Sequence, residues 1–252
     1  MRRIITLLTD FGLRDAYVGV MKGVILGIAP GASLVDLTHG VPPQDVRAGA
    51  FLLMTAFHFF PRGTIHVAVV DPGVGTERKI VAATAAGHAF VGPDNGVLRW
   101  AIQRAGGPDA AVSIEAPEYR LPHVSHTFHG RDVIAPAAAH LAAGAALEAL
   151  GPPMAELAGA PFPSPKRVGA DLVGEVVYVD HFGNCVTNLP PEAGAVEVRG
   201  TQLRRHRTYA EGAAGEPLAL VGSAGFLEIA VPGGSAAQQL GVGVRAQVIL
   251  RP

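Results

Sequence analysis

Hydrophobic and polar positions follow two different periods along the first 160 residues. Aliphatic and β-branched runs typical of strands occur at residues 4–8, 33–37, 64–70, 79–85 and 88–91. The last two are expected to pair across Ala86–Gly87. Helical spacing that ends at Pro or Gly predicts helices over residues 15–28, 45–60, 96–105 and 133–143, with Asp15 and Asp45 as caps of the first two. This order predicts an α/β N-terminal domain, with a central, mostly parallel sheet flanked by helices.

The pattern changes after residue 160. Residues 161–168 are rich in proline, which predicts a linker between a domain at residues 1–160 and a second domain at 169–252. In the second domain helix signals fade. Short β-like runs separated by glycine occur there at residues 172–179, 195–199, 217–221, 225–231 and 244–250. These runs predict a small all-β module, either a barrel or a sandwich.

Composition limits the kinds of molecule that the protein is expected to bind and the compartments in which it is expected to occur. Of the 252 residues, 49% are hydrophobic and 16% charged, and the net charge is −1. We therefore expect neither disorder nor a basic face for nucleic acid, and the low charged fraction fits a surface partly used in subunit contacts. The first apolar run stops at Asp10 and no later run reaches about 18 residues, so neither a signal peptide nor a membrane span is expected. The single cysteine, Cys185, predicts a reducing, cytoplasmic compartment.

Polar side chains follow three of the predicted strands. Asp10, Thr38–His39 and Asp71 each come directly after a strand, and α/β sheets bind ligands in the crevice beyond the carboxyl ends of their strands. Asp71 also opens a glycine-rich turn that returns Arg78 toward it. The pair could orient a water molecule or hold a carboxylate substrate. The alternative interpretation is a structural turn with an Asp cap and a surface Arg.

Three histidines, His123, His126 and His129, are spaced by three residues. On a helix this spacing would place them near one face as metal ligands. However, Pro122 and Gly130 flank the run, and Val124, Thr127 and Phe128 favour extended structure. Loop histidines without a shared role are one alternative. In another, His129 alone reaches the site as an acid or base, because a neutral imidazole can accept a proton near neutral pH.

The second domain contains fewer candidates. The segment from Asp180 to Asn184 ends a predicted strand, either as a turn or as a carboxylate, an aromatic face and an amide presented to a purine. Ser223 lies in a glycine-rich stretch whose spacing is wrong for a nucleophile elbow. Cys185 is expected to be a small buried core residue.

Six motifs occur together in one order. They are Thr9-Asp10-Phe11-Gly12 with Asp15, Asp36-Leu37-Thr38-His39, Asp71-Pro72-Gly73-Val74-Gly75-Thr76 with Arg78, Gly92-Pro93-Asp94-Asn95-Gly96, Thr127-Phe128-His129-Gly130-Arg131-Asp132, and Asp180-His181-Phe182-Gly183-Asn184. Over essentially its whole length the chain resembles the S-adenosylmethionine (SAM) hydroxide adenosyltransferases, relatives of the fluorinase and chlorinase enzymes. Such an ordered set is far more specific than any one motif.

The resemblance implies an α/β domain, a C-terminal β-barrel and a homotrimer, with each site between the N-domain of one subunit and the C-domain of its neighbour. It implies hydrolysis of SAM to adenosine and methionine by activated water, for which we expect no metal or other cofactor. The matching water-activating residues are Asp71, Arg78 and His129. The matching substrate-binding residues are Asp10 for the ribose, Asp15, Asp180 and Ser223 for the methionine end, Phe182 and Asn184 for the adenine, and Phe128.

Departures within the family favour a hydrolase. A halogenase is expected to carry Tyr in place of Asp71 and to lack the arginine and histidine. Gln44 stands where fluorinases carry an aromatic residue over the ribose, and Gly130 stands where they carry a halide-contacting serine. Three rival functions stay open: a SAM-dependent halogenase, a metal-dependent hydrolase that uses the three histidines, and a non-catalytic protein that binds SAM or adenosine.

Overall fold

The computed structural model describes residues 3–252 and contains two compact units. The first, here called the N-unit, ends at Phe162, and the second, the C-unit, begins at Pro163. Lys166–Val168, within the segment predicted as a linker, forms a short strand. Among residues 3–252 no helix is long and apolar enough to cross a bilayer.

The N-unit is built on one six-stranded sheet. In chain order its elements are β1 (Ile4–Thr9), α1 (Tyr17–Ile28), β2 (Ser33–Thr38), α2 (Val46–Ala56), β3 (Ile65–Val69), β4 (Ile80–Ala85), β5 (His88–Pro93), α3 (Arg99–Arg104), β6 (Ala110–Ser113) and α4 (Ala135–Ala143). The strand order is β2-β1-β3-β5-β4-β6. Residues from both helices and strands share the main core, among them Leu7, Ile25, Val67 and Ile134.

The sheet is mixed, so the prediction of a mostly parallel sheet is wrong. Strands β2, β1, β3 and β5 run parallel, but β4 pairs antiparallel with both β5 and β6. The reason is the tight turn at Ala86 and Gly87, where both residues have positive φ (48° and 80°). A two-residue turn can join only antiparallel neighbours, because a parallel pair needs a long crossover. The sequence pattern did not show β6.

Helix capping was predicted correctly once and wrongly once. The carboxylate of Asp45 accepts a hydrogen bond from the Ala48 N–H at 2.9 Å and caps α2 as expected. Asp15 does not cap α1. That helix begins at Tyr17, and its N-cap position is Ala16, which makes no side-chain capping bond.

A helical irregularity precedes α4. Residues Gly130–Ile134 form one π-helical turn before the regular helix, whose first turn contains Pro136. Proline has no N–H to bond the carbonyl four residues earlier. The carbonyl of Asp132 instead accepts a hydrogen bond from the Leu121 N–H at 2.8 Å. This hydrogen bond, made possible by the helical irregularity, holds the preceding loop against the start of the helix.

The C-unit is a closed barrel with one added strand. Its elements are β7 (Lys166–Val168), β8 (Asp171–Val179), β9 (Cys185–Thr187), β10 (Ala195–Val198), β11 (Thr201–Arg205), β12 (Leu218–Val221), β13 (Leu227–Ala230), α5 (Ala236–Leu240) and β14 (Gln247–Arg251). Seven strands close in the order β8-β9-β13-β12-β11-β10-β14, because β14 also pairs with β8. The strand β7 pairs with β8 outside the ring.

Closure removes the free edges that an open sheet would expose. Of the two forms the pattern allowed, the barrel is the one observed. The short helix α5 is an addition to the barrel that the sequence pattern did not show. It is capped by Ser235, whose hydroxyl accepts from the Gln238 N–H, and it ends at Gly241 with φ 61°.

Two buried histidines are hydrogen-bonded inside the N-unit. His66 Nδ1 lies 2.8 Å from Thr6 Oγ1, and His66 Nε2 lies 3.2 Å from His88 Nδ1. The rings of Phe57 and Phe90 pack on the same imidazole. Burial, with a smaller contribution from the neighbouring His88, lowers the pKa of His66 to about 3.

This burial predicts a loss of stability in acid. The unfolded chain binds a proton at His66 below the ordinary histidine pKa of 6.5, whereas the folded chain does so only near 3. The free energy of unfolding should therefore decrease as the pH is lowered from 6.5 to about 3. The slope for this proton is about 1.4 kcal/mol per pH unit. Urea unfolding followed by circular dichroism at several pH values measures the slope. His66→Gln should reduce it, and His58→Gln, at an exposed position, should not. An unchanged slope in His66→Gln would contradict the assignment.

Candidate functional site

A cavity of about 430 Å³ opens in the N-unit where β1 and β3 end. Its lining includes Asp10, Gln44, Asp71, Phe128 and His129. The predicted convergence of strand-end residues is therefore correct for the two carboxylates, Asp10 and Asp71. It is wrong for Thr38 and His39, neither of which lines the cavity, and His39 is buried.

Asp71 and Arg78 form a two-point ion pair on the wall of this cavity. Arg78 Nε donates to Asp71 Oδ1 at 2.8 Å, and Arg78 Nη2 donates to Asp71 Oδ2. Their side chains are only 5% and 10% exposed. The parallel bonds fix both the distance and the plane of the carboxylate. The interpretation of Arg78 as an unpaired surface residue is therefore wrong.

The glycine-rich turn brings the two charges together. Its backbone closes by a hydrogen bond from the Thr76 N–H to the Gly73 carbonyl at 3.2 Å. Gly75 has φ +82°, and a Cβ there would lie 2.5 Å from the carbonyl oxygen of His126. Only glycine meets both demands, so the turn packs directly against the histidine-containing loop.

The same guanidinium reaches His129. Arg78 Nη2 lies 2.9 Å from His129 Nδ1. Since an arginine can only donate, Nδ1 accepts, and the neutral ring carries its hydrogen on Nε2. Burial, followed by the positive charge of Arg78, lowers the pKa of His129 below its ordinary value of 6.5. The ring is therefore neutral at neutral pH.

Asp132, absent from the predicted catalytic set, holds the loop that contains His129. It is completely buried, and its Oδ2 accepts from the Ser125 N–H at 2.8 Å and from Arg131 Nη2 at 2.9 Å. Burial by itself would raise the pKa of this carboxyl, but the bonds from Arg131 and Ser125 lower it. A charged Asp132 therefore fixes both ends of the loop segment.

Asp10 is positioned by backbone bonds rather than by another charge. Its Oδ2 accepts from the Gln44 N–H at 2.8 Å, and Gln44 has φ 67°, an uncommon value for a residue with a side chain. Thr9 Oγ1 accepts from the Phe11 N–H at 3.2 Å and bonds His39 Nδ1 at 2.9 Å. His39 thus supports the loop from behind.

Aromatic rings form one side of the cavity. Phe11, Tyr17 and Phe128 contact one another with centroids 5.2 to 5.8 Å apart. Phe128 was expected at the site, whereas Tyr17 was not, because only the fold brings the first turn of α1 to this loop. Asp15, expected at the methionine end, is exposed and does not line this cavity.

The C-unit has its own cavity, of about 670 Å³. Its lining includes the four residues expected there from the motifs: Asp180, Phe182, Asn184 and Ser223. Asp180 organises the turn, since its Oδ1 accepts from the Phe182 and Asn184 N–H groups at 2.9 and 2.8 Å. The turn leaves the ring of Phe182 72% exposed, as a stacking surface would be. The two interpretations of this segment, turn and ligand contact, are thus compatible.

Other candidates are not assembled into sites. Within residues 3–252 no group of three or more His, Cys, Asp or Glu side chains is arranged to hold a metal ion, and His123 and His126 are exposed. Cys185 is fully buried, and burial raises the pKa of its thiol to about 11. This fits a core residue rather than a nucleophile.

The fold and the cavities define an α/β and β-barrel protein with a carboxylate, a guanidinium and an imidazole joined in one hydrogen-bonded group. The family model described as the SAM hydroxide adenosyltransferase N-terminal domain matches residues 5–151, and that of the C-terminal domain matches residues 174–249. The chain belongs to the SAM hydroxide adenosyltransferase family.

Individual relatives agree with this assignment. The chain is 45% identical over 251 residues to the (R)-S-adenosyl-L-methionine hydrolase of Thermus thermophilus, which covers 95% of this chain and 96% of that one. It is 31% identical over 215 residues to a fluorinase of Nocardia brasiliensis, covering 75% and 71% of the two chains. A solved structure of a conserved protein from Thermotoga maritima is similar with a TM-score of 0.90 and 37% identity, covering 98% of this chain and 100% of that one.

The bond between Arg78 and His129 predicts a measurable shift. In Arg78→Gln the imidazole loses a neighbouring positive charge, so the pKa of His129 should rise. Titration of the ring Cε1–H signal by NMR measures this value, and His129→Gln assigns the signal. Arg104→Gln, at an exposed position on α3, is the matched control and should leave the titration unchanged. An unmoved His129 signal in Arg78→Gln would show that the two groups do not interact in solution.

Proposed function

We propose that this protein hydrolyses SAM to adenosine and L-methionine by attack of water on the 5′ carbon of the ribose. The observation that carries the proposal is the joined Asp71–Arg78–His129 group on the wall of the N-unit cavity. It occurs in a chain that belongs to this family and is 41–45% identical to relatives named as SAM hydrolases.

The chemistry explains why such a group is needed. The 5′ carbon of SAM carries a sulfonium, which leaves readily, so water is the weak partner in the displacement. A site therefore gains most by holding water in line behind the carbon and by drawing off its proton. The reaction needs only water and the substrate, and we propose that it proceeds without a metal or other cofactor.

The tautomer of His129 determines which group donates a hydrogen bond to the water molecule and which group accepts its proton. Its Nδ1 is occupied by Arg78, so the ring offers Nε2–H, which can donate a hydrogen bond to the water oxygen and orient it. Asp71 is then the group that accepts the proton as the carbon–oxygen bond forms. Arg78 holds both the carboxylate of Asp71 and the imidazole of His129 in place. The negative charge of Asp71 also disfavours a halide at the same position.

Substrate binding is divided between the two cavities. In the N-unit we assign the ribose hydroxyls to Asp10 and a wall of the site to Phe128. In the C-unit we assign the adenine to Phe182 and Asn184, and the methionine end to Asp180 and Ser223. Asp15 stays a prediction for the methionine end, and the cytoplasmic location stays a prediction from composition.

We further propose a homotrimer in which the N-unit of one subunit and the C-unit of its neighbour complete each site. The support is the family resemblance, together with the division of the assigned substrate contacts between two cavities.

Complementation tests this assembly. Asp71→Asn and the double variant Phe182→Ala/Ser223→Ala each lose one half of the proposed site, at exposed or cavity-lining positions. Each variant should be nearly inactive by itself, and co-expression of the two should restore a fraction of the activity through mixed sites. Sedimentation should give a trimer. If co-expression restores nothing while mixed trimers form, each site belongs to a single chain.

The reaction itself is tested by isotope transfer. Incubation with SAM in H₂¹⁸O should place one heavy oxygen in the 5′ hydroxyl of the released adenosine, measured by mass spectrometry. Asp71→Asn should still bind SAM but lose on the order of 10²- to 10⁴-fold in kcat, the usual contribution of a proton acceptor.

Activity and binding assays distinguish the proposed function from its three rivals. Full activity of Asp71→Asn would refute the mechanism. Formation of 5′-chloro-5′-deoxyadenosine in chloride would indicate a halogenase, and loss of activity with a chelator would indicate a metal enzyme. Stabilisation by SAM with no adenosine released would indicate a binding protein.

A further inference from the structure

The C-unit cavity contains a carboxyl group that none of the motifs includes. Glu228 lies on β13, and its side chain lines the cavity although the residue is only 6% exposed. Its strand is hydrogen-bonded on both sides, to β12 and to β9. The carboxyl is therefore held on a rigid part of the barrel and faces the same space as Asp180 and Ser223.

Two neighbours fix the orientation of this carboxyl. Tyr209, which also lines the cavity, donates its hydroxyl hydrogen to Glu228 Oε1 at 2.6 Å. On the other side, a Cβ at Gly222 would overlap Glu228 Oε2. The absence of a side chain at residue 222 lets the second oxygen occupy its place. Such support on both sides is typical of a group whose position matters.

The electrostatic surroundings of Glu228 are negative. Burial and then the charge of Asp180 raise the pKa of Glu228, while the Tyr209 hydroxyl lowers it. Cys185, on the adjacent strand, has a thiol pKa raised by burial and by these two carboxylates. None of the residues that line this cavity is a lysine, an arginine or a histidine. A cation entering the cavity would therefore meet two carboxyl groups with no resident counter-ion.

We propose that Glu228, positioned by Tyr209, binds the α-ammonium group of the substrate together with Asp180, and that ammonium binding releases to solvent any proton that Glu228 carries. This inference rests on the proposed function, in which the substrate carries a methionine. The balance is simple: the carboxyl O–H bond breaks, the proton passes to the buffer, and the carboxylate that remains pairs with the ammonium. The adenine end has no positive charge and would cause no such release.

Calorimetry with two probes tests the linkage. S-adenosylhomocysteine keeps the ammonium but has a neutral sulfur, a poor leaving group, so it should bind without turnover. 5′-Methylthioadenosine lacks the amino acid. Binding enthalpies in two buffers of different ionisation enthalpy, measured over about pH 5 to 8, give the number of protons released. The first probe should release up to about one proton more than the second.

Two variants test whether the released proton comes from Glu228. In Glu228→Gln the difference between the probes should disappear, and the KM for SAM should rise about tenfold or more while kcat changes less. In Tyr209→Phe the ring stays but the donor is lost. The pKa of Glu228 should then rise, and the pH of greatest release should move upward. Circular dichroism confirms that both variants fold, and if Glu228→Gln does not, the Tyr209→Phe shift decides alone.

The outcomes separate this inference from the function on which it rests. Equal release by the two probes, or a difference that persists in Glu228→Gln, would overturn the role of Glu228. If adenosine is still formed from SAM in that case, the proposed function stands. If neither probe binds and no adenosine forms, both proposals fail.

Discussion

The guanidinium of Arg78 links the two other polar groups of the candidate site. Arg78 donates two bonds to Asp71 and a third to His129, so it sets the direction of a carboxylate and the tautomer of an imidazole at once. Burying charges is unfavourable unless they are paired, and this pairing is what allows the charged side chain of Asp71 to be only 5% exposed. With Arg78 in place, Asp71 can only accept and the Nε2–H of His129 can only donate. These are the complementary properties that one water molecule requires.

The rest of the N-unit supports this small group. The carboxyl end of β3 presents Asp71, a turn that depends on Gly75 returns Arg78, and a helical irregularity begins immediately after His129. The buried carboxylate of Asp132 stabilises the histidine loop through the Ser125 N–H. Each support involves the backbone, which tolerates little displacement. The geometry of the group therefore depends on the fold more than on the flexibility of any side chain.

The two cavities differ in chemical character in a way that fits the two ends of the proposed substrate. The N-unit cavity combines aromatic rings with the three joined polar groups, whereas the C-unit cavity combines an exposed ring and an amide with two carboxyl groups. The first is suited to a reacting carbon and its water, and the second to a purine and an ammonium. A protein that recognises a molecule at both ends gains selectivity, because binding at one end positions the other for reaction.

The sequence alone was enough to predict the features that depend on neighbouring residues. These are the strands at residues 4–8 and 64–70, the hairpin across Ala86–Gly87 and the cap at Asp45. The ordered motifs, which place the chain in its family, were also visible in the sequence. These features depend on neighbours along the chain, so periodicity and turn residues reveal them. The pairing of β4 with β6, the short strands β6, β9 and β11, helix α5 and the start of α1 at Tyr17 were decided by tertiary packing. So was the hydrogen bond between Tyr209 and Glu228. Arg78 and His129 are 51 positions apart, and Tyr209 and Glu228 are 19 apart. Contacts across such separations leave no period in the sequence, because the free energy that selects them comes from burial and hydrogen bonding in the folded chain.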